Sequence, residues 1–410
     1  MAARFLIENA RWLGAGFAFS FLSSFGQTFF ISLFAGEIKD AYGLSDGEWG
    51  TLYTVATLAS AAALLRFGGL ADGLRLDRLT VALLAAYAAI AAGMALSSSV
   101  ILLGILVAGL RFCGQGMMSH LAITAMGRWF RAHRGRAVTI AGLGFSVGEA
   151  LLPATAIAAA GFLGWRGAWG AVALLLALGA IPLMTLLLAR GRTPRGTAGE
   201  ADTVPGLDGR HWTRAEVARH WAFWALLPAL LSAPFIGTVL FFHQVHIAET
   251  RGWALEAMAA GYPLYAGLTI GTSLLSGWAA DRLGPARLLP PYLLPLGAGL
   301  ALLSLGSTGV EAWFAALALA GITQGMAHAI WGALWPELYG TRHLGAIRSI
   351  SISIMVVATA LGPGATGLVI DAGADFTAQA PWMALWCAGV AAMLLGVTAR
   401  LAPALKTVRG

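Results

Sequence analysis

Charge is scarce in this chain. Of 410 residues only 11% are charged, against roughly 25% in a soluble domain. Too few polar groups remain to cover a water-facing surface, so lipid is the solvent for much of it. Lysine is nearly missing: Lys39 and Lys406 are the only two. There are two cysteines, Cys113 and Cys387, both inside apolar runs. They offer no disulfide framework and no metal-ligand spacing. No cleavable signal is evident, because the first apolar stretch, from about Trp12 to Phe34, is too long for a signal core and lacks a small-residue cleavage site. It reads as a retained membrane helix. No nucleophile–base spacing, metal cluster, phosphate loop or nucleotide-binding domain occurs, so no enzyme, no catalytic residue, no cofactor, no bound metal and no direct use of ATP is expected.

What is present is apolar: 58% hydrophobic residues and a mean hydropathy of +0.76. About twenty apolar residues cross a bilayer as a helix. Twelve such segments are expected, at 11–35, 47–71, 78–97, 99–126, 135–161, 165–189, 220–247, 255–280, 287–306, 309–334, 344–370 and 380–400. Capping boxes, in which side chains satisfy first-turn amides, mark Ser45–Glu48, Thr308–Glu311 and Thr213–Glu216. The last is expected to start a short interfacial helix.

The chain repeats itself. Gly68, Asp72 and Arg78 recur as Gly277, Asp281 and Arg287, and Gly277 lies 209 residues after Gly68. The same shift carries Arg11-Trp12 onto His220-Trp221, Gly43 onto Gly252, and Gln115-Gly116-Met117 onto Gln324-Gly325-Met326. Two copies of one unit follow. Residues 1–190 form one six-helix bundle, 191–218 a polar cytoplasmic linker with Pro194 and Pro205, and 219–410 the second bundle. The net charge of +7 and pI of about 9.9 would suggest nucleic acid in a soluble protein. Here the arginines cluster in alternate loops, at Arg75 and Arg78, 128–136, 190–219, Arg282 and Arg287, and Arg342 and Arg348. The positive-inside rule then puts both termini in the cytoplasm, and a bacterial inner membrane is the expected location. An even number of spans per copy makes the repeats parallel.

Twelve spans in two parallel halves, with a glycine–aspartate–arginine motif after the second and eighth, resemble the major facilitator superfamily. Its loop motif, Gly-x-x-x-Asp-basic-x-Gly-x-x-basic, is matched by Gly277, Asp281, Arg282, Gly284 and Arg287. The first copy keeps Gly68, Asp72 and Arg78 but departs at Gly73 and Arg75. The resemblance implies an all-α major facilitator fold and a gating role for Asp72, Arg78, Asp281, Arg282 and Arg287. An aspartate at a helix C-terminus opposes the helix dipole and needs partners; the alternative is a static ion pair. Arg111, Gly114 and Gly116 resemble the family's fourth-span motif. Arg128-Trp129-Phe130-Arg131, with Gly142, Gly144, Gly148 and Pro153, is similar to monocarboxylate and oxalate–formate carriers. Those carriers hold the carboxylate with a base in span eight or eleven. Span eight here has only Glu256, and span eleven only Arg348 near its inner end. The proline of the drug–proton antiporter motif is replaced by Glu149.

Ionisable groups inside a span are costly and face a cavity or a partner. Arg111 and Glu149 fall near mid-depth on neighbouring antiparallel spans. In a regular helix Gln115 and Ser119 share the face of Arg111. The repeat shift turns that stripe into Ala320, Gln324 and His328, which Trp331 extends. With Gln27 in span one, these residues are expected to line a substrate cavity at the repeat interface. Arg111 is the expected anchor for an anion and Glu149 the proton-coupling carboxylate; a permanent Arg111–Glu149 pair is the alternative. His328 is equally readable as a satisfied interior histidine. His120 is expected against a neighbouring helix, His243 and His246 in solvent at an outer end, and Tyr53, Tyr262 and Tyr265 as interface anchors. The expected function is secondary active transport of small organic anions, carboxylates foremost, coupled to protons and working by alternating access in a monomer. An efflux carrier for amphipathic, drug-like compounds is the alternative.

Overall fold

The computed structural model describes residues 2–70, 75–130, 134–190, 205–305 and 309–409. These residues are helical and contain no strand. They divide into two compact units with the boundary at residues 199–200.

Eight described helices are long and apolar enough to cross a membrane, and a bent pair, Phe5–Gly26 with Thr28–Tyr42 at 47°, makes nine. One of the eight, Arg136–Leu188, is 53 residues long and holds two expected spans. They part at Gly164, whose φ of 68° and ψ of 165° are not helical. Two expected spans fall short. Tyr262–Leu283 has the length but is diluted by glycine, serine and threonine, and Leu294–Ser304 has only 11 residues.

The helix starts follow local chemistry. Ser45 accepts the Glu48 amide and Glu48 returns the bond, opening Asp46–Phe67; Thr213 and Glu216 do the same for Arg214–Arg219. Thr308 lies outside the described residues. The repeat register is visible in the backbone. Gly43 ends Ala35–Tyr42 at φ 64°, and its equivalent Gly252 ends Gln244–Arg251 at φ 65°. This left-handed conformation is open to glycine at little cost. Helix ends also borrow cations: Arg11 donates from Nε to the Leu187 carbonyl at 2.8 Å, and from Nη2 to that of Leu186. A cation there complements the negative end of the helix.

Each unit is knitted by backbone contact at glycine. In the first, a Cβ on Gly144 would strike the Phe17 carbonyl, and one on Gly148 the Ser24 hydroxyl. In the second, a Cβ on Gly325 would strike Thr272 and the Thr269 carbonyl. Such small-residue faces let helices approach closely where lipid offers no hydrophobic driving force. The three tyrosines expected at the interface are instead interior: Tyr53 is 1%, Tyr262 0% and Tyr265 5% exposed. Two of the hydroxyls have interior partners: Tyr53 donates to Thr28 Oγ1 at 2.9 Å and Tyr262 to Gln244 Oε1 at 2.6 Å, while the Tyr265 ring packs edge-on against Phe241. His243 is likewise not solvated. It is buried, with Nε2 2.8 Å from Thr366 Oγ1.

Candidate functional site

The first span does not run straight. It ends as a 3₁₀ turn at Ser24–Gly26, Gln27 is extended (φ −87°, ψ 155°), and the helix resumes at Thr28. The fourth span has its own defect facing this break: Arg111–Met118 is a π-helix. The two meet at Gly26 and Gly114, where a Cβ on Gly114 would lie 2.7 Å from the Gly26 Cα. Breaks at membrane depth free backbone groups that must find partners within the protein, and Arg111 supplies them. Its Nη1 donates to the Thr28 hydroxyl at 3.1 Å and to the Gly26 carbonyl at 3.4 Å, and its guanidinium stacks over Tyr53, 5.1 Å from the ring centre.

This changes the expected stripe. Arg111 and Ser119, at the two ends of that π-helical stretch, meet different surroundings. Arg111 is buried, 3% exposed, against the broken first span. Ser119 instead lines a cleft of about 240 Å³ with Gln27, Ser20, Ser23 and Phe145. Gln115 is half-buried between them. Glu149 is 6% exposed. No ion pair joins Arg111 and Glu149 among the described residues, and Arg111 Nη1 is bonded at the break.

The second unit holds a larger cleft, about 430 Å³. One wall is Gln324, His328, Trp331 and Trp335 on Glu311–Tyr339; the other is Arg348, Ser351 and Met355 on Leu344–Asp371. Gln324 Nε2 and His328 Nε2 lie 3.0 Å apart, and Arg348 Nη2 donates to the Gly332 carbonyl at 2.8 Å. The two clefts correspond in the repeat: the 209-residue register carries Ser119, Ala122, Ile123 and Gly142 of the first onto His328, Trp331, Gly332 and Ser351 of the second. Of the residues expected at a substrate cavity, Gln27 lines the smaller cleft and Gln324, His328 and Trp331 the larger. Sequence reasoning passed over Arg348 and Trp335 as lining residues. A lone base at a span end reads as topology, and only the neighbouring helix turns it towards a cleft.

Of the gating residues, Asp72 lies outside the described residues. Arg78, Asp281, Arg282 and Arg287 are exposed. Arg282 stacks over Trp278 at 4.2 Å, and Asp281 makes no ion pair among the described residues. Near the first motif the exposed pair is Arg75–Asp77, at 2.7 Å. No group of metal-binding side chains occurs among the described residues.

Fold and clefts together define a polytopic helical membrane protein of two repeated units, each with a mainly apolar cleft that holds a few polar side chains. The profile of the Major Facilitator Superfamily matches residues 16–347, and the chain belongs to that family. It is 29% identical, over 89% of its length and 90% of the relative's, to an uncharacterized 38 kDa protein in the 23S RNA operon of Thermoproteus tenax. Its fold is similar to crystal structures of a bacterial homolog of the human lysosomal transporter Spinster. The inward-facing unoccupied form matches with a TM-score of 0.67 at 16% identity, covering 98% of this chain and 96% of that one. The inward-facing occupied form gives 0.66 at 17%, covering 97% and 94%. Membership of that family makes the chain a transporter.

Proposed function

We propose that the chain is a secondary active transporter of small organic anions, carboxylates foremost, coupled to protons and working by alternating access in a bacterial inner membrane. The observation that carries the substrate class is the charge of the cleft linings. Arg348 lines the larger cleft, and neither lining contains an aspartate or glutamate. A guanidinium offers five donors in a planar fork, the geometry that meets a carboxylate with two bonds. Gln324 and His328 supply further polar contacts, while Trp331, Trp335 and Met355 suit an apolar body. Glu149 supports the coupling. It is a buried carboxylate on the fifth span, beside Gly148, which packs on the broken first span. Charge is costly there, so its protonation is tied to whether water or a cation can reach it.

Uptake into liposomes tests this. An inward proton gradient is expected to drive accumulation of radiolabelled benzoate or lactate, and Arg348→Gln is expected to raise KM roughly tenfold or more, the loss of one charged hydrogen bond. Transport of cationic dyes with no acid transported would sink the anion reading and favour the efflux carrier.

A further inference from the structure

The polar segment that follows the first unit is described from residue 205. Its last part, residues 205–220, is folded onto the inner end of Glu311–Tyr339. Trp212 donates its backbone N–H to the Tyr339 carbonyl at 3.1 Å, and its indole to Leu207 at 3.1 Å. His220 Nδ1 lies 3.1 Å from the Tyr339 hydroxyl. Gly206 presses so closely on the helix end that a Cβ would lie 2.5 Å from the Gly340 nitrogen and Leu338 carbonyl oxygen. Arg210 closes the segment from outside, stacked 4.0 Å over Trp212 and paired with Glu216 at 3.0 Å.

From this contact a run of rings leads to the cleft. Trp212 is 5.6 Å from Tyr339, Tyr339 stacks on Trp335 at 5.9 Å, and Trp335 lies 5.6 Å from Trp331. Trp331 and Trp335 are the aromatic wall of the 430 Å³ cleft. Close-packed rings shift together or not at all, because a gap of even an ångström forfeits much of their contact energy. We propose that residues 205–220 form a strap that positions the tryptophan wall of the C-terminal cleft through Tyr339, so that Trp212 and His220 act on the wall without touching its occupant. The inference rests on the transport reading only for its consequence, since the wall itself can be read without a substrate.

Accessibility of the wall is the test. Cys113 and Cys387 are buried, and a Cβ on Gly332 meets open space within the cleft, so Gly332→Cys gives a single reporter for maleimide alkylation. In that background Trp212→Ala and Gly206→Val are each expected to change the alkylation rate about threefold or more, the size of a coupling of this kind. Trp212→Phe should restore the rate, and Arg214→Ala, on the strap's exposed side, should leave it unchanged. A pH profile gives a second, gentler readout. Burial holds the His220 imidazole below the usual histidine range, so the docked strap favours neutral His220 and loosens as pH falls through that group's own titration. The groups around it are Asp208, Arg210 and Glu216 on the strap, the Tyr339 hydroxyl, and Arg400, which lies over the adjacent Trp221. The thiolate fraction falls with pH in every variant, so it is the ratio of the parent's rate to that of His220→Gln that should change towards acid pH. Folded Trp212→Ala and Gly206→Val proteins alkylated at the parent rate, or a pH profile unaltered by His220→Gln, would overturn the proposal.

Discussion

Glu149→Gln is expected to abolish proton-driven accumulation while sparing substrate exchange between preloaded liposomes. Glutamine keeps the shape and the neutral polar character of a protonated glutamate but has no proton to release. A carrier locked in the protonated form can still reorient with substrate on both sides; it cannot turn a pH gradient into a concentration gradient. The expected loss of uphill transport is complete, down to the passive leak. Burial of Glu149 at 6% exposure, among helices that approach through Gly144 and Gly148, means that the substitution leaves packing intact. Two assays on one preparation, gradient-driven uptake and counterflow, check it. Equal loss of both would make Glu149 a folding residue, and retention of both would remove it from the coupling path.

Arg111→Met is expected to destabilise the N-terminal unit rather than merely weaken substrate binding. The guanidinium is the partner of the Gly26 carbonyl and the Thr28 hydroxyl at the break. Removing it leaves the Gly26 carbonyl unpaired at membrane depth, about 1–3 kcal/mol, takes one of two donors from Thr28 Oγ1, whose other is the Tyr53 hydroxyl, and ends the stacking on Tyr53, about 1 kcal/mol more. A fall in melting temperature of roughly 5–10 °C in detergent is expected for a unit of this size, measured on tryptophan fluorescence without any ligand. An unchanged melting temperature with weakened binding of benzoate would restore the substrate-anchor role to Arg111. Gly114→Val should lower it in the same way, because its side chain would enter the Gly26 backbone.

The architecture was legible because its causes are local. Span lengths follow from runs of apolar residues, and the duplication follows from residue identity at one spacing. The caps at Ser45 and Thr213 are four-residue patterns that the backbone obeys at both places. Spans eight and nine were less so: glycine, serine and threonine in Tyr262–Leu283 are tolerated because that helix lies against Gly321 and Gly325, whose Cβ positions meet its backbone. The site was half legible. Gln27, Gln324, His328 and Trp331 are polar or aromatic interruptions of apolar spans, and such interruptions usually face a cavity. Arg111 obeys the same rule, yet it faces a partner instead.

Composition, the 209-residue repeat and the loop arginines decided from sequence alone that this is a duplicated helical membrane protein, because each depends on solvent or on neighbours along the chain. The tertiary structure alone placed the buried Arg111 against the break in the first span and the half-buried Arg348 at a cleft. That placement depends on where two neighbouring spans break: the extended Gln27 and the π turn at 111–118 bring a carbonyl and a hydroxyl to Arg111, while an unbroken helix presents Arg348 to the cleft beside Trp335. A helix defect changes the direction of every side chain beyond it, and periodicity assumes there is none.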